Sequence, residues 1–477
     1  MAEPASPPMR GLGLCTHFER RNLGWKVEEL LPLARRIGAT TLRQEAGLWH
    51  RVEAAKGRYE LPAVEADWLQ RATDAGMSVI PVLALGNSIY DNPMDPEGFA
   101  RYAAFMARTL PKRFNIEAFE IWNEPTNFQF MRHYGGSWSG AEPCLWLEKF
   151  AELTALATKA VKDEAPDVPV MVSPGEPQFA YMARRFPESL EHVEALGVHP
   201  YSNRFPPETT PWGGPQIHQR DGVSVADDHH SYLSLWRHAR RICREDLGRE
   251  LRLYVTEYGY STYDHSRKGA NAAGYTEDAQ AKYLARGLIL TLAAGVEMVC
   301  VYDLMDDGTD RYEAEDNWGL VRHEKRGYEP KPAWHALRRV AEALAPAWKH
   351  LPEPPARLDV TIRPLPCNAD QWQQPPVERH LQITGPEAHW FTAGHAACMG
   401  EDWVSFVWRA GRISGEYNDP VGEIVWEGAP KFTKIEMRDL FTGQSLPVRP
   451  TREGGRLILP EVPVGGSPVA IRWTPER

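Results

Sequence analysis

The sequence predicts a (β/α)8 TIM barrel over residues 11–348, followed by an antiparallel β-sandwich over residues 349–477. Three observations predict it. Apolar strand segments and amphipathic helical segments alternate eight times between Gly11 and Ala345, and the strands are short continuous apolar runs of the kind buried on both faces. No Gly-x-Gly-x-x-Gly follows the first strand, so the open doubly wound sheet lacks its phosphate-binding signature. Beyond Pro346 helical periodicity stops and short alternating segments take over. A chain of 477 residues also exceeds what one core supports, so a barrel with a smaller second domain is the natural division.

Taken in order, residues 1–10 are expected to form a Pro-rich disordered tail. The first strand is expected over Gly11–Phe18 and the first helix over Val27–Ile37, with Gly38 where helices end in a left-handed residue. Strand two covers Thr40–Gln44 and leads into a loop with Trp49. A helix over Ala63–Ala75 stops at Gly76, and strand three is Val79–Leu85. Asp95-Pro96-Glu97 reads as an N-cap followed by proline at the first helical position. Strand four, Ala118–Trp122, runs into Asn123-Glu124-Pro125. A helix over Leu145–Glu164 precedes strand five, Pro169–Ser173; a helix over 179–192 precedes strand six, Ala195–His199. The stretch Tyr201–Val225 is rich in Pro and Gly and lies where barrels keep substrate loops. Helix Asp228–Glu245, strand seven with Glu257, helix Glu277–Ala294 ending at Gly295, strand eight over Glu297–Leu304 and a closing helix over Lys331–Ala345 complete the barrel.

In the second domain, Trp403–Trp408, Lys434–Leu440, Arg456–Leu459 and Val469–Trp473 alternate, separated by turn signals such as Thr442-Gly443 and Gly454-Gly455.

Composition narrows the partners. A net charge of −10 with no basic block argues against nucleic acid, which needs a concentrated basic surface. No apolar run reaches the ~18 residues of a membrane span. The six cysteines are scattered without a C-x-x-C pair or metal spacing, which reads as buried free thiols in a reducing compartment; a Cys367–Cys398 disulfide stays open. The N-terminus has neither the basic nor the apolar region of a signal peptide, so a cytoplasmic location is expected, or an extracellular one if the native start lies upstream.

Two stretches carry the chemistry. Phe119-Glu-Ile-Trp-Asn-Glu-Pro125 ends a strand in a glutamate with an amide beside it, and Pro125, lacking an N–H, stops the ladder. Leu251-Arg-Leu-Tyr-Val-Thr-Glu-Tyr-Gly-Tyr260 ends a second strand in Glu257. The carboxyl ends of barrel strands converge on one face, so Glu124 and Glu257 are expected to meet there. Two such carboxyl groups are what cleavage of a glycosidic bond asks for: one protonates the departing oxygen, the other attacks or stabilises the anomeric carbon. Glu257 has to stay ionised, and Arg43, at the end of strand two, is the best candidate donor to it.

Trp122-Asn123-Glu124-Pro125 followed by Thr256-Glu257-Tyr258-Gly259 resembles the clan A glycoside hydrolases, retaining (β/α)8 enzymes, and most of all the family 39-type β-xylosidases, α-iduronidases and exopolysaccharide glycosidases. The resemblance spans roughly residues 11–345. It implies that Glu124 is the acid/base and Glu257 the nucleophile, that the bond is cleaved through a covalent glycosyl–enzyme intermediate, and that no cofactor or metal is needed. It also implies an arginine at position 43, and places Tyr201 as donor to the nucleophile, with His199 near the acid/base and Asn123 on the sugar 2-hydroxyl. The second domain resembles the accessory β-domain of many such barrels. The expected partner is an oligosaccharide, polysaccharide or small glycoside. A catalytically silent carbohydrate-binding protein and a transglycosidase using the same residues are the alternatives.

Trp49, Trp318, Tyr258, Tyr260 and Asn317 are further candidates for lining the subsites. Most of the 17 tryptophans are expected in the core. The acidic run Asp303, Asp306, Asp307 and Asp310 lacks the glycine and glutamate of a calcium loop and reads as a solvated or substrate-binding loop.

Overall fold

The computed structural model describes residues 8–126, 130–136, 144–202, 206–208, 232–267, 274–344, 358–362, 390–391, 397–399, 402–409, 421–463 and 465–476. Eight parallel strands close on themselves: β1 (Leu12–Cys15), β2 (Thr41–Gln44), β3 (Ser78–Leu83), β4 (Phe119–Ile121), β5 (Val170–Val172), β6 (Ala195–Val198), β7 (Arg252–Tyr258) and β8 (Met298–Val301), the last pairing with the first. Among the described residues, eight helices of ten residues or more accompany them: α1 (Val27–Arg36), α2 (Ala63–Asp74), α3 (Pro96–Thr109), α4 (Leu145–Glu164), α5 (Glu176–Arg185), α6 (Tyr232–Glu245), α7 (Glu277–Ala293) and α8 (Pro332–Leu344). The predicted order of strands and helices is the observed one.

Local signals act as the sequence suggests. Asp95 accepts the Gly98 N–H at 2.6 Å with Pro96 in the first turn of α3, and Gly38 leaves α1 at φ 95°. Inside the barrel, Cys15, Ile80, Ala118, Met171, Ala195, Tyr254, Met298 and Cys300 form a plug of their own. Gly197 lets β6 approach β5 closely, since a Cβ there would lie 2.1 Å from Ser173 Oγ and would displace it.

Two expectations are corrected. Met9, inside the expected tail, is buried and donates its N–H to Gly38 O at 2.8 Å, so order begins before Gly11; residues 1–7 lie outside the described residues. The helix expected over 179–192 instead starts at Glu176 and stops at Arg185, with a 3-10 turn at Pro187–Leu190. Pro187 is the reason, since it disfavours helical geometry at Phe186 and has no N–H to give. The expected substrate loop Tyr201–Val225 and the pairing of Cys367 with Cys398 fall mostly outside the described residues. Cys15, Cys144, Cys243 and Cys300 are buried free thiols.

The C-terminal strands form two antiparallel sheets. In one, β10 (Trp390–Phe391), β12 (Asp402–Arg409), β18 (Val469–Pro475), β14 (Phe432–Asp439) and β15 (Ser445–Leu446) run in that order, with β11 (Ala397–Met399) also on β12. The other is β16 (Thr451–Glu453), β17 (Arg456–Pro463), β13 (Val421–Glu427) and β9 (Leu358–Ile362). Because side chains alternate along a strand, the first sheet is apolar on both faces. Val407, Ile471 and Trp473 meet Ile424, Trp426 and Leu459 of the second sheet. Val404, Phe406, Trp408 and Ala470 join the barrel's own apolar core. Trp408 Nε1 donates to Glu208 at 2.8 Å, and Arg286 of α7 holds the same carboxylate. No helix among the described residues is long and apolar enough to cross a membrane.

Candidate active site

The end of β4 is bent to deliver Glu124. Trp122 and Glu124 take φ values of 66° and 41°, left-handed conformations that cost a non-glycine residue of order 1–3 kcal/mol each. Packing supplies the compensation: the Trp122 ring is fully buried against Phe130 and Phe99, at centroid distances of 4.7 and 5.5 Å. With Trp122 anchored in the core, Asn123 and Glu124 turn into the mouth of the barrel.

Glu257 lies within β7 and is 8% exposed. Each of its oxygens is held. Arg43 Nη1 donates to Oε1 at 2.7 Å, and the Tyr201 hydroxyl donates to Oε2 at 2.9 Å. Burial opposes the charge of Arg43, but Glu120 and then Glu257 outweigh it and hold the guanidinium well above its ordinary pKa. Burial, reinforced by Glu257, pushes the Tyr201 phenol well up, so it remains a donor.

His199 bridges the two glutamates. Its Nδ1 lies 2.8 Å from Glu124 Oε1 and 3.6 Å from Glu257 Oε2. Burial alone would lower the imidazole; Glu257 and the hydrogen bond to Glu124 outweigh it and raise its pKa. A carboxylate oxygen of Glu124, one of Glu257 and a His199 ring nitrogen all fall within 4.8 Å of one another.

These groups open onto a cavity of about 570 Å³ whose walls include Arg43, Asn123, Glu124, Tyr201, Glu257 and Trp318. Trp318 packs edge-on against Tyr201 and Tyr302, at 5.5 and 5.7 Å. The structure therefore brings together Arg43, Asn123, Glu124, His199, Tyr201, Glu257 and Trp318. It does not bring Trp49, which is fully buried, donates to Glu53 at 2.6 Å and stacks among Tyr90, Phe99 and Tyr102. Tyr258 and Tyr260 are also buried, 2.8 Å apart at their hydroxyls, and Asn317 spends its amide on the carbonyls of Asp310 and Glu313.

The acidic run after β8 is exposed at Asp310 and reaches the cavity through Asp307, but it is not solvated throughout. Asp303 and Asp306 are buried; Asp306 accepts from Lys331 at 2.6 Å and Asp307 from Trp25 and Arg20. Burial, then Asp307 and Asp306, keeps Asp303 well above the carboxylate range. The segment folds back on itself through the bridge between Met305 and Val321, which carries these side chains inward.

Sequence reasoning missed Glu120, His17, Glu45 and Tyr302. Glu120 was legible by alternation: in Ala118–Trp122 it shares the inward parity, and a carboxylate facing a barrel interior needs a cation. His17 follows β1 and lines the cavity; burial, aided by Arg20 and Arg43, keeps its ring neutral. His17 can group with Glu19 and Glu45, or with Asp303 and Asp307, in clusters small enough for an ion. In both clusters, however, carboxylates are already engaged, Glu19 by Gln44 and Asp307 by Trp25 and Arg20.

The sequence matches no family model and no curated protein. The structure matches solved ones. A family 39 glycoside hydrolase from the gut symbiont Bacteroides cellulosilyticus WH2 superposes over 97% of this chain and 81% of its own, with a TM-score of 0.62 at 19% identity. The likeness is one of fold. A glucosidase from Croceicoccus marinus superposes over 100% of this chain and 98% of its own, with a TM-score of 0.54 at 14% identity. The barrel and its β-domain thus share the architecture of a family 39 glycoside hydrolase.

Proposed function

We propose that this chain is a retaining glycoside hydrolase of the clan A type that cleaves a β-glycosidic bond of an oligosaccharide, polysaccharide or small glycoside. The carrying observation is the approach of Glu124 and Glu257, with carboxylate oxygens within 4.8 Å. Retaining enzymes hold their carboxyl groups about 5–5.5 Å apart, whereas inverting ones leave about 6.5–9.5 Å for a water.

In this reading Glu257, kept ionised by Arg43 and Tyr201, attacks the anomeric carbon. The bond to the leaving oxygen breaks as the proton held between Glu124 and His199 passes to that oxygen. Water then enters, Glu124 takes its proton, and the hydroxide oxygen displaces Glu257 from the sugar. Asn123, fixed by Arg43 Nη2 at 2.9 Å, presents its side-chain amide to the sugar 2-hydroxyl, and Trp318 offers a face to a sugar ring. The fold shared with the two glycosidases supports the reading.

The test is sugar release from a panel of aryl β-glycosides and oligosaccharides, with Glu257→Ala as control and the anomeric configuration of the first product read by NMR. A loss of roughly a thousandfold or more in the variant and a product of retained configuration are expected. Release that survives the substitution, or an inverted product, sinks the reading.

A further inference from the structure

Arg43 serves two carboxylates. Beneath Glu257 lies Glu120, fully buried in β4, which accepts from Arg43 Nε at 2.6 Å and from Nη2 at 3.1 Å, while Nη1 reaches Glu257. Glu120 therefore takes two of the guanidinium's hydrogen bonds and Glu257 one. The Ser173 hydroxyl donates to the same Glu120 at 2.5 Å, and His199 Nε2 stands 4.0 Å away. In a site closed to water, one positive charge shared between two carboxylates acts on each less than it would alone.

We propose that Glu120 is a positioning residue that divides the charge of Arg43 and thereby sets how readily Glu257 takes up a proton. Its catalytic consequence rests on Glu257 being the nucleophile; the electrostatic coupling does not. A Glu257 that held the whole guanidinium would be a weak nucleophile, and the two hydrogen bonds that Arg43 gives to Glu120 reduce that hold. Burial opposes the ionised form of Glu120, but Arg43 overcomes it and holds the carboxyl below its usual range. The other groups that face Glu257 are Tyr201 and His199 from the end of β6 and Glu124 from the end of β4. Glu45, Glu315, Cys15 and Tyr302 act on it from the ends of β1, β2 and β8. Among these groups, only Arg43 hydrogen-bonds both Glu120 and Glu257.

The experiment is a ¹³C carboxyl NMR titration of the full chain, the Glu257 resonance being identified by its loss in Glu257→Gln. In Glu120→Gln the Glu257 midpoint is expected to fall by about one pH unit, and the acid limb of kcat/KM to move with it. In Ser173→Ala, which returns charge to Glu120, the midpoint is expected to rise. Ser173→Ala alone decides the matter if Glu120→Gln does not fold. Midpoints equal to wild type overturn the proposal, even if kcat falls, because a purely structural role lowers activity without moving the titration. A moved midpoint in a protein that cleaves no glycoside supports the coupling and rejects the glycosidase reading.

Discussion

His199 Nδ1 lies 2.8 Å from Glu124 Oε1, closer than to any other carboxylate it faces. Burial lowers the imidazole, but Glu257 and then Glu124 outweigh it and raise its pKa, so it keeps its proton to higher pH than a free imidazole. His199→Gln should therefore shift the alkaline limb of kcat/KM to lower pH. Stability follows the same sign: a raised pKa adds stability that is fully present below the unfolded value of about 6.5 and is lost as pH rises through the folded value. Thermal unfolding of the variant should show its deficit in acid and little deficit in alkali. A profile identical to wild type would sever the pair.

Glu124→Ala separates proton donation from attack. Substrates whose leaving group needs no proton, such as dinitrophenyl glycosides, should keep a fast first step and accumulate glycosyl–enzyme. Poor leaving groups should lose about 10²–10⁴-fold in kcat/KM. Equal losses across leaving groups would remove Glu124 from the acid role.

Trp49 shows where the sequence reading reached its limit. An aromatic residue after β2 lies on the correct end of the barrel, and nothing in the sequence says which way it points. Its indole turns outward because Glu53, four residues on, receives its N–H, and three aromatic rings close around it. Trp49→Phe should lower the unfolding midpoint while leaving KM unchanged; a raised KM would return the residue to the cleft.

The strand-end glutamates were legible because eight apolar runs and a proline stop fix where each strand ends. Arg43 followed from the same logic, since residues at strand ends share one face, whereas His199 and Tyr201 were placed by the family resemblance. Glu120 and His17 were harder: their partners, Arg43 and the β8 segment, come from far along the chain. Only the closed barrel makes them neighbours. The burial of Asp303 and Asp306 had no local signal at all, because it depends on Lys331, at the start of a helix beyond the loop.

Glu19 offers a test of electrostatics away from the reacting groups. Burial, with Glu45 adding repulsion, pushes its pKa up to about 8. The proton it retains stabilises the fold below about pH 4.5, and that contribution disappears as pH rises through 8. Glu19→Gln should thus unfold at the same temperature as wild type in acid and at a higher one above pH 8. A difference that does not grow with pH would mean the carboxyl is ionised throughout.

The two-faced sheet of the second domain has a consequence for how the chain can be divided. Val404, Phe406 and Trp408 belong to the apolar core that the barrel shares with its helices, while Val407, between them, belongs to the sandwich. A cut after α8 would leave an oily scar on the outer wall of the barrel and strip Glu208 of the hydrogen bond from Trp408. The β-domain is a staple on the wall of the barrel, and heating should melt both in a single step.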